Sequence, residues 1–193
     1  LPQPGEMTAA ALVLIDFKAG FDAPGWGARN NPGAEANAAR LLAAWRDAGA
    51  PVLHIRHVSR EPGSPLGPGP GVDFKPEVAP RPGEPVFEKS VNSAFIGTGL
   101  EDHLRGAGID RVVICGLTTP HCVSTTVRMA GNLGFSVRLV HDACASFAAN
   151  ARVDWIDGLA TLSPEAIHAT AICHLHGEFA TALSTDAVLT GGP

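Results

Sequence analysis

Short apolar runs alternate with segments of helical spacing along this chain, and that alternation constrains the fold more than any other feature. Residues 10–15 (AALVLI), 51–55 (PVLHI), 112–115 (VVIC) and 136–140 (SVRLV) read as strands, with 86–89 (VFEK) a shorter extended piece. Such runs suit strands buried on both faces. Between them, residues 34–48 place Ala38, Leu41, Leu42 and Trp45 on one face, and Gly49 ends the helix. Residues 100–104 and their flanks form a second helix, stopped by Gly106 and Gly108. From Cys122 onward, Val123, Val127, Ala130 and Leu133 recur at helical spacing; Gly131 weakens that helix and Gly134 stops it. Residues 164–183 read as a long helix with Pro164 in its first turn, and 184–189 as a last edge strand. Strands alternating with helices predict an α/β fold: a three-layer αβα sandwich around a parallel sheet of about six strands.

At 193 residues the chain fits a single domain spanning 1–193, with 1–8 as a loose lead-in. A net charge of −5, spread without clusters, argues against a nucleic-acid partner or an anionic membrane surface. No apolar run approaches a membrane span, and the N-terminus lacks a signal-peptide pattern. Cys115, Cys122, Cys144 and Cys173 fall at wide spacings, with neither zinc-site nor Cys-x-x-Cys patterns. Reduced thiols in a cytoplasmic protein are the simplest reading.

The chemistry concentrates in residues 111–127, RVVICGLTTPHCVSTTV. A buried strand runs into Gly116, which lets the backbone turn, and Cys122 follows at the first turn of a helix. Unpaired N–H groups and the positive end of the helix dipole lie there, and both favour a thiolate. The layout is that of a nucleophile elbow. A cysteine that only packs is the bland alternative. Asp16 directly follows the first strand, at the sheet end where ligands bind in open parallel sheets; a loop or cap carboxylate is the alternative. The Gly/Pro/Asn-rich loop 17–32 carries Phe21 and Trp26, which either line a pocket or clip the loop down. Residues 59–85, rich in proline and glycine, are too long for an ordinary connector and read as a functional loop or lid.

Three separated pieces, LVLIDF with Asp16, VFEKSVNSAF with Lys89 and VICGLTTPHCVSTTVRMAGNLGF with Cys122, resemble the isochorismatase-like cysteine hydrolases. This is the superfamily of nicotinamidases and N-carbamoylsarcosine amidohydrolases, and the resemblance spans roughly residues 10–147. It implies a Rossmann-like sandwich and an Asp–Lys–Cys triad of Asp16, Lys89 and Cys122. The thiolate of Cys122 would attack the carbonyl carbon of a small amide-like or carbamoyl substrate. Asp16 would move the proton, and Lys89 would supply fixed positive charge. Also implied are an oxyanion hole from the N–H groups of Thr118 and Cys122, a cis peptide at Leu117–Thr118, and a homodimer or homotetramer. No cofactor is implied for the cysteine chemistry.

The chain departs from the family pattern in places. Many members have glutamine where Lys18 stands and aspartate where Pro120 stands. True isochorismatases lack the cysteine nucleophile, so Cys122 argues against hydrolysis of a vinyl ether, the alternative activity. A catalytically idle binding or assembly protein of the same fold is the other alternative. Nicotinamidases carry an Asp/His metal cluster after the second strand. His54 and His57 lie in that region, but the Asp-x-His part is missing, so no metal is expected and both histidines read as core or loop residues. His121, next to the nucleophile, points away from it in a helix and so reads as a pocket-lining residue, together with Phe21 and Trp26 as the substrate contacts.

Overall fold

The computed structural model describes residues 9–193; the lead-in assigned to residues 1–8 lies outside the described residues. The described residues build one six-stranded sheet in the order β3-β2-β1-β4-β5-β6. Its strands are β1 (Ala11–Ile15), β2 (Val52–His57), β3 (Val86–Lys89), β4 (Arg111–Leu117), β5 (Ser136–Ala145) and β6 (Thr181–Leu183). Every neighbouring pair is parallel. The helices are α1 (Ala34–Asp47), α2 (Leu100–Gly106), α3 (Ser124–Asn132), α4 (Pro164–Cys173) and α5 (Thr185–Gly191). This is the α/β sandwich that the alternation predicts.

The core follows from the same pattern. All five residues of β1 are buried, as a central strand covered on both faces requires. Ala38, Leu41, Leu42 and Trp45 of α1 are buried, and the Trp45 indole donates to the Ala10 carbonyl at 2.7 Å. An indole N–H taken from water needs such a partner. In α3, Gly131 has a packing reason: a Cβ there would meet the Phe179 carbonyl oxygen at 3.1 Å.

The last third of the chain differs from expectation. The helix predicted over 164–183 stops at Cys173; the chain turns through Gly177, at φ 89°, and returns as edge strand β6 beside β5. The strand predicted over 184–189 is helix α5. Ser184 caps it, its hydroxyl accepting from Ala187 N at 3.2 Å, and Asp142 accepts from both the amide and the hydroxyl of Thr185.

The strand order reverses between β1 and β4, since β2 and β3 continue on one side and β5 and β6 on the other. A crevice forms at the carboxyl ends of the strands at such a switch point. The two strands come unusually close there: a Cβ on Gly116 would stand 2.1 Å from the Ile15 carbonyl oxygen. Only glycine fits, and its φ of 145° is open to glycine alone. Gly116 therefore brings the ends of β1 and β4, and the residues that follow them, into one place.

Candidate active site

Asp16 is the first residue past β1, and it sits at φ 54°, the left-handed region that aspartate tolerates better than most residues. The kink aims its carboxylate across the end of the sheet. Oδ1 accepts from the His57 amide at 2.7 Å, and Oδ2 lies 2.9 Å from the Lys89 ammonium. That second contact is an ion pair without hydrogen-bond alignment, and no other donor among the described residues serves Oδ2. Oδ2 thus keeps a lone pair free.

Lys89 ends β3, and register carries it to the site, since β2 pairs His57 with Lys89. Its ammonium touches four acceptors: Asp16 Oδ2 at 2.9 Å, His57 Nδ1 at 3.1 Å, the Val91 carbonyl at 3.1 Å and Cys122 Sγ at 3.2 Å. Cys122 arrives from the other half of the sheet. After β4 the Leu117–Thr118 peptide is cis, one turn of π-helix covers Thr119–Val123, and α3 begins at Ser124. The amides of His121 and Val123 both donate to the Thr118 carbonyl, which ties the turn on both sides of Cys122.

Asp16, Lys89 and Cys122 therefore converge at one edge of the sheet, 0%, 3% and 8% exposed respectively. Cys122 is the most exposed of the three. Burial and the Asp16 carboxylate push the Cys122 thiol up to about 12, against the pull of Lys89. Burial and the neighbouring carboxylate thus favour the thiol over the thiolate that the helix N-terminus alone would favour. A carboxylate oxygen of Asp16 lies within 4.8 Å of the protonated sulfur.

Residues 59–85 fold back over the start of the 17–32 loop. Ala19 N donates to Asp73 O and Lys75 N to Phe17 O, both at 2.9 Å. Between this flap, β3 and residues 96–97 lies a cavity of about 790 Å³, lined by Ser59, Glu61, Ser64, Lys89 and Ile96 among others. Of Asp16, Lys89 and Cys122, Lys89 is the one on its wall.

The aromatic residues sit elsewhere. Phe21 is buried, stacked on Phe147 at 5.8 Å between centroids, and Trp26 tilts against both rings while its indole donates to the Gly20 carbonyl. This cluster holds the 17–32 loop down and is not on the cavity wall. His121 is exposed, one residue from the sulfur. His54 is buried and its Nε2 bonds Glu84 at 2.9 Å, within a network closed by Arg46. It does not join the site.

His57 does join it, and sequence reasoning placed it only in the core or a loop. Its amide holds Asp16, its ring faces Lys89 and its carbonyl accepts from Lys18. Burial, then Lys89, depresses its pKa, so the ring is neutral and can accept from the ammonium. The signal available was register: His57 ends β2 as Lys89 ends β3. Asp16, His57 and Cys122 bring donor atoms within 4.8 Å of one another, a spacing a metal ion could use. The Lys89 ammonium lies within 3.2 Å of all three residues and holds that position. A cation already stands where the donors converge.

The sequence model of the isochorismatase domain matches residues 10–187. The chain belongs to the isochorismatase family. An uncharacterized isochorismatase family protein of Bacillus subtilis, YrdC, is 45% identical over 180 residues, covering 93% of this chain and 94% of that protein. The maleamate amidohydrolase of Pseudomonas putida is 34% identical over 155 residues, 68% of this chain and 70% of that enzyme. In structure, a putative isochorismatase-family hydrolase from Chromobacterium violaceum superimposes with a TM-score of 0.88 at 46% identity, covering 98% of this chain and 97% of that one. The chain is thus an isochorismatase-family hydrolase, with the six-stranded parallel sheet of its structural neighbours.

Proposed function

We propose that this isochorismatase-family hydrolase cleaves the C–N bond of a small amide-like or carbamoyl substrate through a thioester on Cys122. The observation that carries the reading is the placement of the Lys89 ammonium, 2.9 Å from Asp16 Oδ2 and 3.2 Å from Cys122 Sγ, at a buried sheet edge. A fixed cation between a protonated thiol and an ionised carboxylate stabilises the negative charge wherever the proton transfer puts it. As sulfur attacks the carbonyl carbon, its proton passes to Asp16. The tetrahedral oxyanion takes hydrogen bonds from the N–H groups of Thr118 and Cys122. The C–N bond then breaks, and Asp16 returns the proton to the departing nitrogen. Water attacks the thioester carbonyl, Asp16 accepts its proton, and the C–S bond breaks; the sulfur regains a proton through Asp16. The carboxylic or carbamic product carries the oxygen of that water.

His121 is assigned to substrate contact because it is exposed and adjoins Cys122 in the chain. Phe21 and Trp26 act on the substrate through the shape of the 17–32 loop that they hold. The similarity to maleamate amidohydrolase supports amide hydrolysis, and the cysteine separates this site from vinyl-ether hydrolysis. A panel of small amides, ureides and carbamoyl compounds, assayed for ammonia or amine release, tests the reading. At least one compound should turn over in the wild type and none in Cys122→Ala or Asp16→Asn. Turnover that survives in Cys122→Ala would overturn it.

A further inference from the structure

Lys18 is the buried charged residue at this site that the mechanism leaves unused. It is fully buried beneath the flap, where it pairs backbone-to-backbone with Phe74. Its ammonium donates to the His57 carbonyl and lies 5.9 Å from the Phe21 ring centre. It forms no ion pair with any carboxylate among the described residues, unlike Lys75 and Lys89. Burying an unpaired charge is costly unless the surroundings use it. The charged and titratable groups facing it are Asp16 from the end of β1, Arg56 from β2, Lys89 from β3 and Cys122 from the turn after β4. Two of those are the groups between which the proposed reaction moves a proton.

We propose that Lys18 is a positioning residue whose buried positive charge supports the negative charge shared by Asp16 and Cys122. The inference rests on the nucleophile reading of Cys122. Its hydrogen bond fixes the carbonyl of the same residue whose amide holds Asp16 Oδ1. Lys18 meets the His57 carbonyl while Lys89 meets the ring, so both cations bear on the same residue. Burial lowers the Lys18 pKa to about 8, as expected of a cation that has found no full counter-charge, while Asp16 pulls it back. Glutamine, the residue common at this position in the family, could make the hydrogen bond but not supply the charge. The site thus carries two cations where that residue would leave one.

Two neutral variants separate charge from hydrogen bond: Lys18→Met removes both, and Lys18→Gln retains a donor for the His57 carbonyl. The readout is the rate of iodoacetamide alkylation of Cys122 against pH, followed by mass on the Cys122 peptide, with the exposed Cys173 thiol as internal reference. It needs no substrate. With the cation gone, the thiol ionises less readily, so below about pH 8, where Lys18 is charged, both variants should be about tenfold slower at a fixed pH, a displacement of about one unit, and the difference should shrink above that pH. Cys173 should not change. If Lys18→Gln follows the wild-type profile, alone or together with Lys18→Met, the charge does nothing and the proposal fails. If Lys18→Met does not fold, Lys18→Gln decides alone. Hydrolysis retained in Cys122→Ala would instead defeat the underlying nucleophile reading, whatever the Lys18 profiles show.

Discussion

Lys89 and Gly116 have the most sharply defined work in this molecule. Lys89→Met keeps the stem and removes the cation from a buried carboxylate and thiol, so turnover should fall about a hundredfold or more. Circular dichroism on the same sample shows whether the fold survives, and an unchanged rate would count against the triad. Gly116→Ala should destabilise the protein by about 2–4 kcal/mol in urea unfolding, because its Cβ would sit 2.1 Å from a backbone oxygen that cannot move aside. Metal dependence is argued at this scale too. With the Lys89 ammonium standing where Asp16, His57 and Cys122 converge, activity should survive exhaustive chelation. Loss on chelation, restored by zinc, would contradict that placement. Asp16, Lys89 and Cys122 were readable as a candidate set because Lys89 ends a strand, Asp16 directly follows one, Cys122 lies in the turn after one, and each stands inside a recognisable motif. His57 was not, since its three contacts depend on the register of β2 against β3 and on the main-chain kink at Asp16. Lys18 was visible as a departure from the family pattern, but its burial without an ion pair was not.

At the scale of elements, α4 bears on the turn that carries Cys122 more than its distance in sequence suggests. His168 of α4 is buried, and its Nδ1 lies 2.8 Å from Thr119 Oγ1, in the turn that carries Cys122. Burial depresses the His168 pKa to about 4 from its ordinary 6.5. The unfolded chain then binds a proton that the folded chain does not, between those two values. The stability tied to neutral His168 is complete above about pH 6.5 and is lost as pH falls towards 4. The loss is on the order of 2 kcal/mol. Urea unfolding near each end of that range should show a smaller pH effect in His168→Gln than in the wild type, and equal effects would refute the assignment. The strands with branched apolar runs and the amphipathic face of α1 were readable because burial imposes their pattern. The end of the chain was misread because β6 has only three residues and α5 only seven, too few for a period to show. Local chemistry was the better guide there: Gly177 makes the turn that brings the chain back after α4, and Ser184 caps the next helix.

For the molecule as a whole, the long loops present little large apolar surface. Phe21 is buried, Trp26 and Phe74 are half-buried, and both loops pack on their own chain. Exposed apolar side chains gather instead in residues 155–162, where Trp155 is 75% exposed beside Ile156, Leu159 and Leu162. A homodimer or homotetramer remains our expectation, now with that segment in the contact. Light scattering should give a multiple of the chain mass for the wild type and a smaller species for Trp155→Asp; a wild-type monomer would refute it. No helix of the described residues is long and apolar enough to cross a membrane. The central claim is that one sulfur, Cys122, carries the substrate's acyl group. Intact mass of the protein, quenched during turnover of an amide that it hydrolyses, tests this most directly. The account predicts a gain equal to the acyl portion without the amine, located on the Cys122 peptide and absent from Cys122→Ser. An adduct on any other residue would contradict it, as would full hydrolysis by Cys122→Ala.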